Sequence, residues 1–235
     1  MRFHFFFPMA IGLLLLNCED RQSSKKTNTS IIKDSTITET KVTSKNEVTS
    51  EYPKLTDNNA MEFFLDYEKK NKEDKVRITT DFGVIEIKLY NKTKFHRANF
   101  VYLTKLQYFD GTQFYRVVKD FVIQGGSSDD YNIAKRRQKI GHYLLPPDTK
   151  RGYTHKRGAV SMPSSEIENA YKLASPFQFF IIQRQGGADY LDNDYTVFGE
   201  VIAGMDVVDK INAVKTDEGD WPLQNVYIGK VELID

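Results

Sequence analysis

Residues 114–126 constrain the fold of this chain more than any other stretch. The segment FYRVVKDFVIQGG alternates apolar and polar side chains, which predicts a β-strand. It places Arg116 among bulky apolar residues and ends with Gln124, Gly125 and Gly126. A guanidinium in an apolar groove is costly and is typical of a ligand site, whereas paired glycines allow a tight turn or a close backbone approach. The stretch therefore predicts a strand that serves a bound ligand.

The composition excludes several classes of function. The 235-residue chain has 33 Lys and Arg against 32 Asp and Glu, so nothing attracts it generally to nucleic acid. Its four histidines and one cysteine lack zinc-type spacing, so we expect no metal site. We expect no other cofactor. His96, His142 and His155 are interpreted as surface or loop residues. A Ser–His–Asp hydrolase is not indicated, because the sequence has no G-x-S-x-G motif.

Residues 1–18 are typical of an export signal. A short positive start precedes an apolar run at 5–16, which is too short for a membrane span of roughly 20 residues. The only cysteine, Cys18, follows directly, and 15–18 resembles a bacterial lipobox except at Asn17. Cys18 is therefore the predicted lipid-attachment site, with a generic secretory peptide as the alternative. We expect an extracytoplasmic protein of the bacterial cell envelope, anchored to the membrane by lipid.

Two segments precede the compact domain. Residues 19–53 are rich in Ser, Thr and Lys and predict a disordered tether, since they cannot bury enough apolar surface to offset their ordering entropy. Residues 54–74 contain a predicted helix at 57–72 that Asp57 or Asn58 would cap. The apolar face of this helix is predicted to include Met61, Phe64 and Leu65.

Residues 75–235 are predicted to form one mostly β domain. The expected helices span 94–106 and 204–211, and 127–157 is predicted to be a long loop. Further strand patterns occur at 76–80, 84–90, 158–162, 178–183, 196–202 and 226–233. Many short strands with two separated helices indicate a barrel or sandwich with helical caps.

Several short motifs of this domain, in their order and spacing, resemble the cyclophilin-type peptidyl-prolyl cis-trans isomerases. They are 97–100, 108–114, the Arg116-to-Gly126 signature, 178–181, 191–192 and 197–199. The resemblance covers about two thirds of the chain, from Val76 to Asp235. It implies a closed eight-stranded β-barrel capped by two α-helices, to which the N-terminal helix is an addition, with an active groove on the outer face of the barrel.

The resemblance also implies roles for individual residues. Arg116 matches the catalytic arginine of the family, and Gln124 matches the glutamine that orients substrate and arginine. The implied substrate-binding residues are Phe121, Val122, Gln178, Phe180, Tyr190, Leu191, Tyr195 and Ser164. Three departures from the family pattern bear on substrate preference: Tyr115 in place of a histidine, Pro163 in the segment that contacts substrate backbone, and Phe177 in place of a small residue.

The sequence thus predicts a monomeric enzyme that accelerates rotation of X–Pro bonds in exported or envelope proteins and assists their folding. Its partners would be proline-containing polypeptides, and its mechanism non-covalent and arginine-assisted. Two alternatives stay open. One is a cyclophilin-fold peptide-binding or chaperone module with little or no turnover. The other is an envelope scaffold that uses the 127–157 loop or the 57–72 helix.

Overall fold

The structure is a computed structural model that describes residues 52–164 and 169–235. The predicted signal peptide, Cys18 and the predicted tether up to residue 51 lie outside the described residues. Tyr52 is described, and its ring packs edge-on against Phe63 and Tyr102. In the described ranges, no helix has the length and apolar character needed to cross a membrane.

The body of the described chain is an eight-stranded antiparallel sheet accompanied by a two-stranded parallel pair. The strands are β1 (Leu55–Thr56), β2 (Lys75–Thr80), β3 (Gly83–Leu89), β4 (Arg116–Val118), β5 (Val122–Gly125), β6 (Gly141–His142), β7 (Ala159–Met162), β8 (Phe179–Ile182), β9 (Thr196–Ala203) and β10 (Ile228–Leu233). In the large sheet the order is β10-β2-β3-β9-β7-β8-β5-β4. The small pair joins β1 to β6.

Alternating side chains on β5 and β8 divide between two apolar clusters. On β5 and β8, Ile123, Phe179 and Ile181 belong to the main core. Their neighbours Val122 and Phe180 belong to a second, smaller cluster. Successive strand residues point to opposite faces of a sheet, so the second cluster lies on the face away from the main core.

The predicted eight strands are confirmed, whereas the predicted closure of the barrel is not. β4 and β10 stand at the two ends of the strand order, and the described residues show no ladder between them. The chain just before these strands is joined by single contacts. Phe114 N–H donates to the Val226 carbonyl at 2.9 Å, and Gln113 forms an isolated bridge with Tyr227. Ile228, the first residue of β10, also donates its N–H to the Thr112 carbonyl and accepts from Gly111 N–H, each at 2.8 Å. The sheet is curled, and its two ends are linked through the segment ahead of β4.

The described residues contain four α-helices: α1 (Ala60–Lys70), α2 (Lys94–Lys105), α3 (Tyr131–Ile140) and α4 (Met205–Asn212). The predicted helices at 94–106 and 204–211 are confirmed as α2 and α4. α2 packs against β9, β10 and α1, whereas α4 lies against β3 and β5. Most of α2 is buried, in keeping with its broad apolar face.

The N-terminal helix is present, but its predicted cap and apolar face were partly wrong. The N-cap is Asn59, whose side chain accepts from Thr56 N–H at 2.7 Å instead of capping the helix. Phe64 and Tyr67 are buried, whereas Leu65 is 39% exposed. The buried stripe follows positions 60, 64 and 67, so the helix is rotated relative to the predicted face.

The predicted long loop at 127–157 is wrong in its first half, where the chain forms α3 and β6. The Asp130 carboxylate caps α3 by accepting from Asn132 N–H at 2.6 Å. The helix ends at Gly141, whose φ of 133° disfavours other residues. Only Ile133 and Ile140 of this helix are buried, so its hydrophobic periodicity is too sparse to read from the sequence.

Candidate active site

Residues 114–126 contain a β-hairpin in place of the single predicted strand. β4 and β5 pair antiparallel, and their register sets Arg116 opposite Gln124. Between them, Asp120 takes a φ of 56°, a left-handed backbone that turns the chain. Because cross-strand partners point to the same face, the turn brings the side chains of Arg116 and Gln124 to the same side of the hairpin.

Asn212, at the end of α4, holds this turn from the protein interior. Its side-chain oxygen accepts from Asp120 N–H at 2.9 Å. Its amide nitrogen donates to the carbonyls of Val118 and Val122 at 2.8 and 3.2 Å. The sequence reasoning missed Asn212, because its partners lie about 90 residues earlier and no local pattern marks the contact.

The two glycines after Gln124 are required by close packing against the protein itself. Gly126 has a φ of 95°, and a Cβ there would lie 2.6 Å from the Phe177 carbonyl oxygen. A Cβ on Gly125 would lie 2.9 Å from the Phe114 ring. The close backbone approach indicated by this glycine pair is therefore made to the segment that precedes β8.

A small cavity of about 120 Å³ opens over the hairpin, on the side of the second apolar cluster. Its lining residues are Arg116, Phe121, Val122, Gln124, Pro163, Phe180, Leu191 and Tyr195. All of these except Pro163 were predicted as site residues. The cavity is well below the roughly 300–1,000 Å³ of pockets for drug-sized ligands, so its size suits a single side chain.

Two polar side chains of the cavity, those of Arg116 and Gln124, are each held by a residue outside it. Arg116 Nη2 donates to the Asp220 carboxylate at 3.1 Å. Gln124 Nε2 donates to the Tyr115 hydroxyl. The Arg116 side chain is 42% exposed, so its guanidinium is reachable by a peptide. Asp220 was not found by sequence reasoning, because it lies 104 residues beyond Arg116.

Behind the cavity, a buried polar network supports the ring of Phe180. The ring of His155 stacks on that of Phe180, with centroids 5.9 Å apart and an interplanar angle of 11°. His155 Nδ1 contacts the Asp192 carboxylate at 2.6 Å, and Nε2 lies 3.1 Å from Ser161 Oγ. Burial lowers the pKa of His155, while the hydrogen bond and charge of Asp192 oppose that shift.

This network contains a serine, a histidine and an aspartate, but His155 and Ser161 are fully buried. A substrate cannot reach the Ser161 hydroxyl, so the geometry suits a scaffold for Phe180 and not a nucleophile. The interpretation of His96 as a surface or loop residue is wrong, because His96 lies in α2 and is 0% exposed. His155 lies in a loop, as predicted, but it is also 0% exposed and so is not a surface residue. His142 is exposed, as predicted.

Three predicted site residues lie outside the small cavity. Gln178 lines a neighbouring, larger cavity of about 770 Å³ together with Tyr115 and Trp221. Tyr190 is 65% exposed, and its ring stacks on that of Phe121 with centroids 6.1 Å apart. Ser164 forms an isolated antiparallel bridge with Ala174.

The two departures that bear most on the groove have different consequences. Pro163 lines the cavity and supplies no N–H there. Phe177 is 1% exposed and packs against Tyr108 and Tyr143 in the core. Phe177 therefore does not form the wall of the small cavity. Within the described ranges, no group of three or more His, Cys, Asp or Glu side chains is placed to hold a metal ion.

Known proteins resemble this chain in sequence and in fold. The family model described as "Cyclophilin type peptidyl-prolyl cis-trans isomerase/CLD" matches residues 75–233. A peptidyl-prolyl cis-trans isomerase from Acinetobacter baylyi is 34% identical over 166 residues, which cover 67% of this chain and 84% of the relative. An isomerase-like protein from Rhizopus delemar is 33% identical over 169 residues, but this chain spans only 30% of its length.

Solved structures share the fold. A cyclophilin-type isomerase from Cryptosporidium parvum superposes with a TM-score of 0.58 at 22% identity, over 69% of this chain and 98% of that one. A second structure of that isomerase, determined in the presence of the dipeptide Ala-Pro, gives a TM-score of 0.57. The predicted enzyme class is confirmed by the family model and the relatives: this chain belongs to the family of cyclophilin-type peptidyl-prolyl cis-trans isomerases.

Proposed function

We propose that this protein accelerates cis/trans exchange of X–Pro bonds with Arg116 as its catalytic donor. The observation that carries the proposal is the position of Arg116 at the edge of a small cavity whose other walls are mostly apolar. Such a cavity suits a proline ring. The guanidinium then lies beside the bond that precedes the ring.

The reaction requires little more than a hydrogen-bond donor and side chains that hold the proline ring. The barrier to rotation of an X–Pro bond is about 18–20 kcal/mol, because amide resonance gives the C–N bond partial double-bond character. As the bond twists, resonance is lost and the prolyl nitrogen becomes pyramidal and more basic. A donor aimed at that nitrogen or at the adjacent carbonyl binds the twisted state more strongly than either planar state, which lowers the barrier.

Arg116 meets these requirements. Its guanidinium is always charged and presents five N–H donors, of which the observed contact to Asp220 uses one. The apolar walls formed by Phe121, Phe180 and Leu191 would hold the ring while the preceding residue rotates. Gln124, in the small cavity, and Gln178, in the neighbouring larger one, would hold the peptide strand.

The test is an exchange assay on a short, uncharged Ala-Pro peptide, with the wild-type chain and Arg116→Ala. We expect a fall in kcat/KM of roughly 100-fold, as for loss of one transition-state donor. The matched control is Arg77→Ala, because Arg77 also pairs with a carboxylate on a strand and its side chain is 41% exposed. Equal exchange rates for wild type and Arg116→Ala would contradict the mechanism.

Pro163 favours a second candidate, a peptide-binding or chaperone module with little turnover. The proline removes a donor at the cavity wall that would otherwise be available to substrate backbone. Phe177, the other departure, no longer favours this candidate because it is buried in the core. The module predicts chemical-shift changes at Phe180 and Leu191 on addition of the peptide, without faster exchange in the wild type.

We further propose that the substrates are exported or envelope proteins and that a lipid on Cys18 anchors a monomeric enzyme to the membrane. The support is the sequence of residues 1–18, with its apolar run and lipobox-like end. Proline isomerisation takes tens of seconds or longer without catalysis, so it limits the folding of exported chains that need a particular isomer. An isomerase held at the membrane would meet such chains as they emerge.

A further inference from the structure

Arg116 has an ionic partner that comes from a distant part of the chain. The contact joins Arg116 Nη2 to Asp220 Oδ2 at 3.1 Å, and both side chains are partly exposed. Arg116 lies in β4, whereas Asp220 lies in the segment between α4 and β10. Gln124, the cross-strand neighbour of Arg116, donates its amide to Tyr115. The observed anchor of the guanidinium is therefore Asp220.

The segment 217–221 is built as a closed loop. The Asp217 carboxylate accepts from the N–H groups of Gly219 and Trp221, each at 2.9 Å. Asp217 N–H in turn donates to the Trp221 carbonyl at 2.9 Å. Asp220 sits within this loop at a φ of 65°, a left-handed conformation that Asp and Asn tolerate better than most residues.

This loop is attached to the strand that carries Arg116. The N–H of Val117, the next residue along β4, donates to the Asp220 carbonyl at 2.8 Å. The backbone of Asp220 is thus hydrogen-bonded beside the same strand position that its side chain contacts. The ring of Trp221 also lies 5.8 Å from that of Tyr115, the residue that accepts from Gln124. The residue that holds Arg116 therefore belongs to this loop, and the residue that holds Gln124 is in contact with it.

We propose that Asp220 is a positioning residue for Arg116. It binds one edge of the guanidinium so that the other donors face the small cavity. A half-exposed arginine has many rotamers, and an unanchored one would spend only part of its time in the productive orientation. This inference rests on the proposed function of Arg116 and adds a residue that does not touch the substrate.

The variants that test the positioning role of Asp220 are chosen so that the backbone of the loop keeps its conformation. Asp220→Asn keeps the shape of the side chain and removes its charge, and Asp220→Gly removes the side chain. Both residues accept a positive φ, so neither change strains the turn. The matched control is Glu86→Gln, because Glu86 is the partner of a similarly exposed arginine on a strand away from the cavity.

With the full chain and an uncharged Ala-Pro peptide, we expect Asp220→Asn to lower kcat about fivefold with little change in KM. This is the upper end of the effect expected for an exposed ion pair. We expect the change in kcat and not in KM, because the orientation of the Arg116 guanidinium matters most when the X–Pro bond is twisted. Asp220→Gly should lower kcat at least as much, and Glu86→Gln should match wild type. Unchanged kcat in both Asp220 variants would overturn the proposal.

A second readout does not depend on turnover. The side-chain NMR signal of the Arg116 Nε–H reports how well the guanidinium is ordered, and we expect its order parameter to fall in Asp220→Asn. An unchanged order parameter would overturn the proposal, even if activity falls. The comparison of wild type with Arg116→Ala tests the proposed function separately. If wild type were inactive, and its Arg116 side chain were ordered but lost that order in Asp220→Asn, catalysis would be refuted while the positioning role would be supported.

Discussion

His96 is a titratable side chain enclosed in the domain. It is fully buried in α2, and neither ring nitrogen has a hydrogen-bond partner among the described residues. Burial lowers its pKa from 6.5 to about 4, with Asp148 opposing the shift. The folded state therefore binds this proton less readily than the unfolded state. Its contribution to stability is complete above about pH 6.5 and is lost as the pH falls from there to about 4.

We expect His96→Leu to remove this part of the acid sensitivity. The pKa difference between 6.5 and about 4 corresponds to roughly 3 kcal/mol of unfolding free energy over that interval. Urea unfolding at several pH values within the interval measures it, and the variant should lose about that much less stability than wild type. His142→Leu, at an exposed position, serves as the control. If His96→Leu and wild type lost the same unfolding free energy between pH 6.5 and 4, His96 would not be a source of the acid sensitivity.

At the residue scale, the sequence was informative where motifs are compact. Phe121, Val122 and Gln124 lie within one hairpin, so their order and spacing were enough to place them at one site. Asp220 and Asn212 carry no such signal. Each acts on residues about 90 to 104 positions away, and a lone Asp or Asn in a polar segment predicts only a turn or a cap.

At the element scale, α1 and α2 are joined by a buried charge. Arg97 is 1% exposed and donates to the carbonyls of Asn71 and Glu73 at 3.0 and 3.1 Å. It also pairs with the Glu68 carboxylate at 3.3 Å. One guanidinium thus hydrogen-bonds two backbone carbonyls just after α1 and links that end of the helix to α2.

We expect Arg97→Ala to destabilise the protein by about 2–5 kcal/mol, because it leaves the partly buried carbonyls of Asn71 and Glu73 without their donor and each unsatisfied group costs about 1–3 kcal/mol. The Glu68 carboxylate keeps its contact with Lys72 at 2.7 Å. Urea unfolding followed by circular dichroism measures the change. Lys69→Ala removes an ion pair from the exposed face of α1 and should leave stability unchanged. If the two variants were equally stable, Arg97 would not hold α1 in place.

The elements that the sequence predicted well are those in which apolar, buried residues recur at a regular spacing. β2 and β3 alternate buried and partly exposed residues along most of their length, and α4 buries Val207, Val208 and Ile211. α3 was missed because its middle is polar, although Asp130 and Gly141 are ordinary start and stop signals. Together, these two end signals predict a helix between them in spite of its polar middle.

At the scale of the whole molecule, the main core and the small cavity lie on opposite faces of the sheet. The small cavity is built on the second cluster. Substitutions in the cavity wall can therefore alter peptide binding while leaving the main core intact. Sequence periodicity marks most of the strands, whereas the predicted count of eight comes from the family resemblance. The bridge between Gln113 and Tyr227, which links the chain ahead of β4 to the chain ahead of β10, has no local sequence pattern.

The anchoring proposal gives a prediction for the whole chain. Every residue of the small cavity lies between 116 and 195, so a change at Cys18 should move the enzyme within the cell without altering its chemistry. We expect Cys18→Ser to abolish fatty-acid labelling and to shift the protein from the membrane fraction to the soluble fraction of bacterial cells, with kcat/KM unchanged. Asn17→Ala, which brings in a usual lipobox residue, should keep both labelling and membrane association. Labelling that persists in Cys18→Ser would place the lipid elsewhere, and a wild-type chain found only in the soluble fraction would refute the anchor.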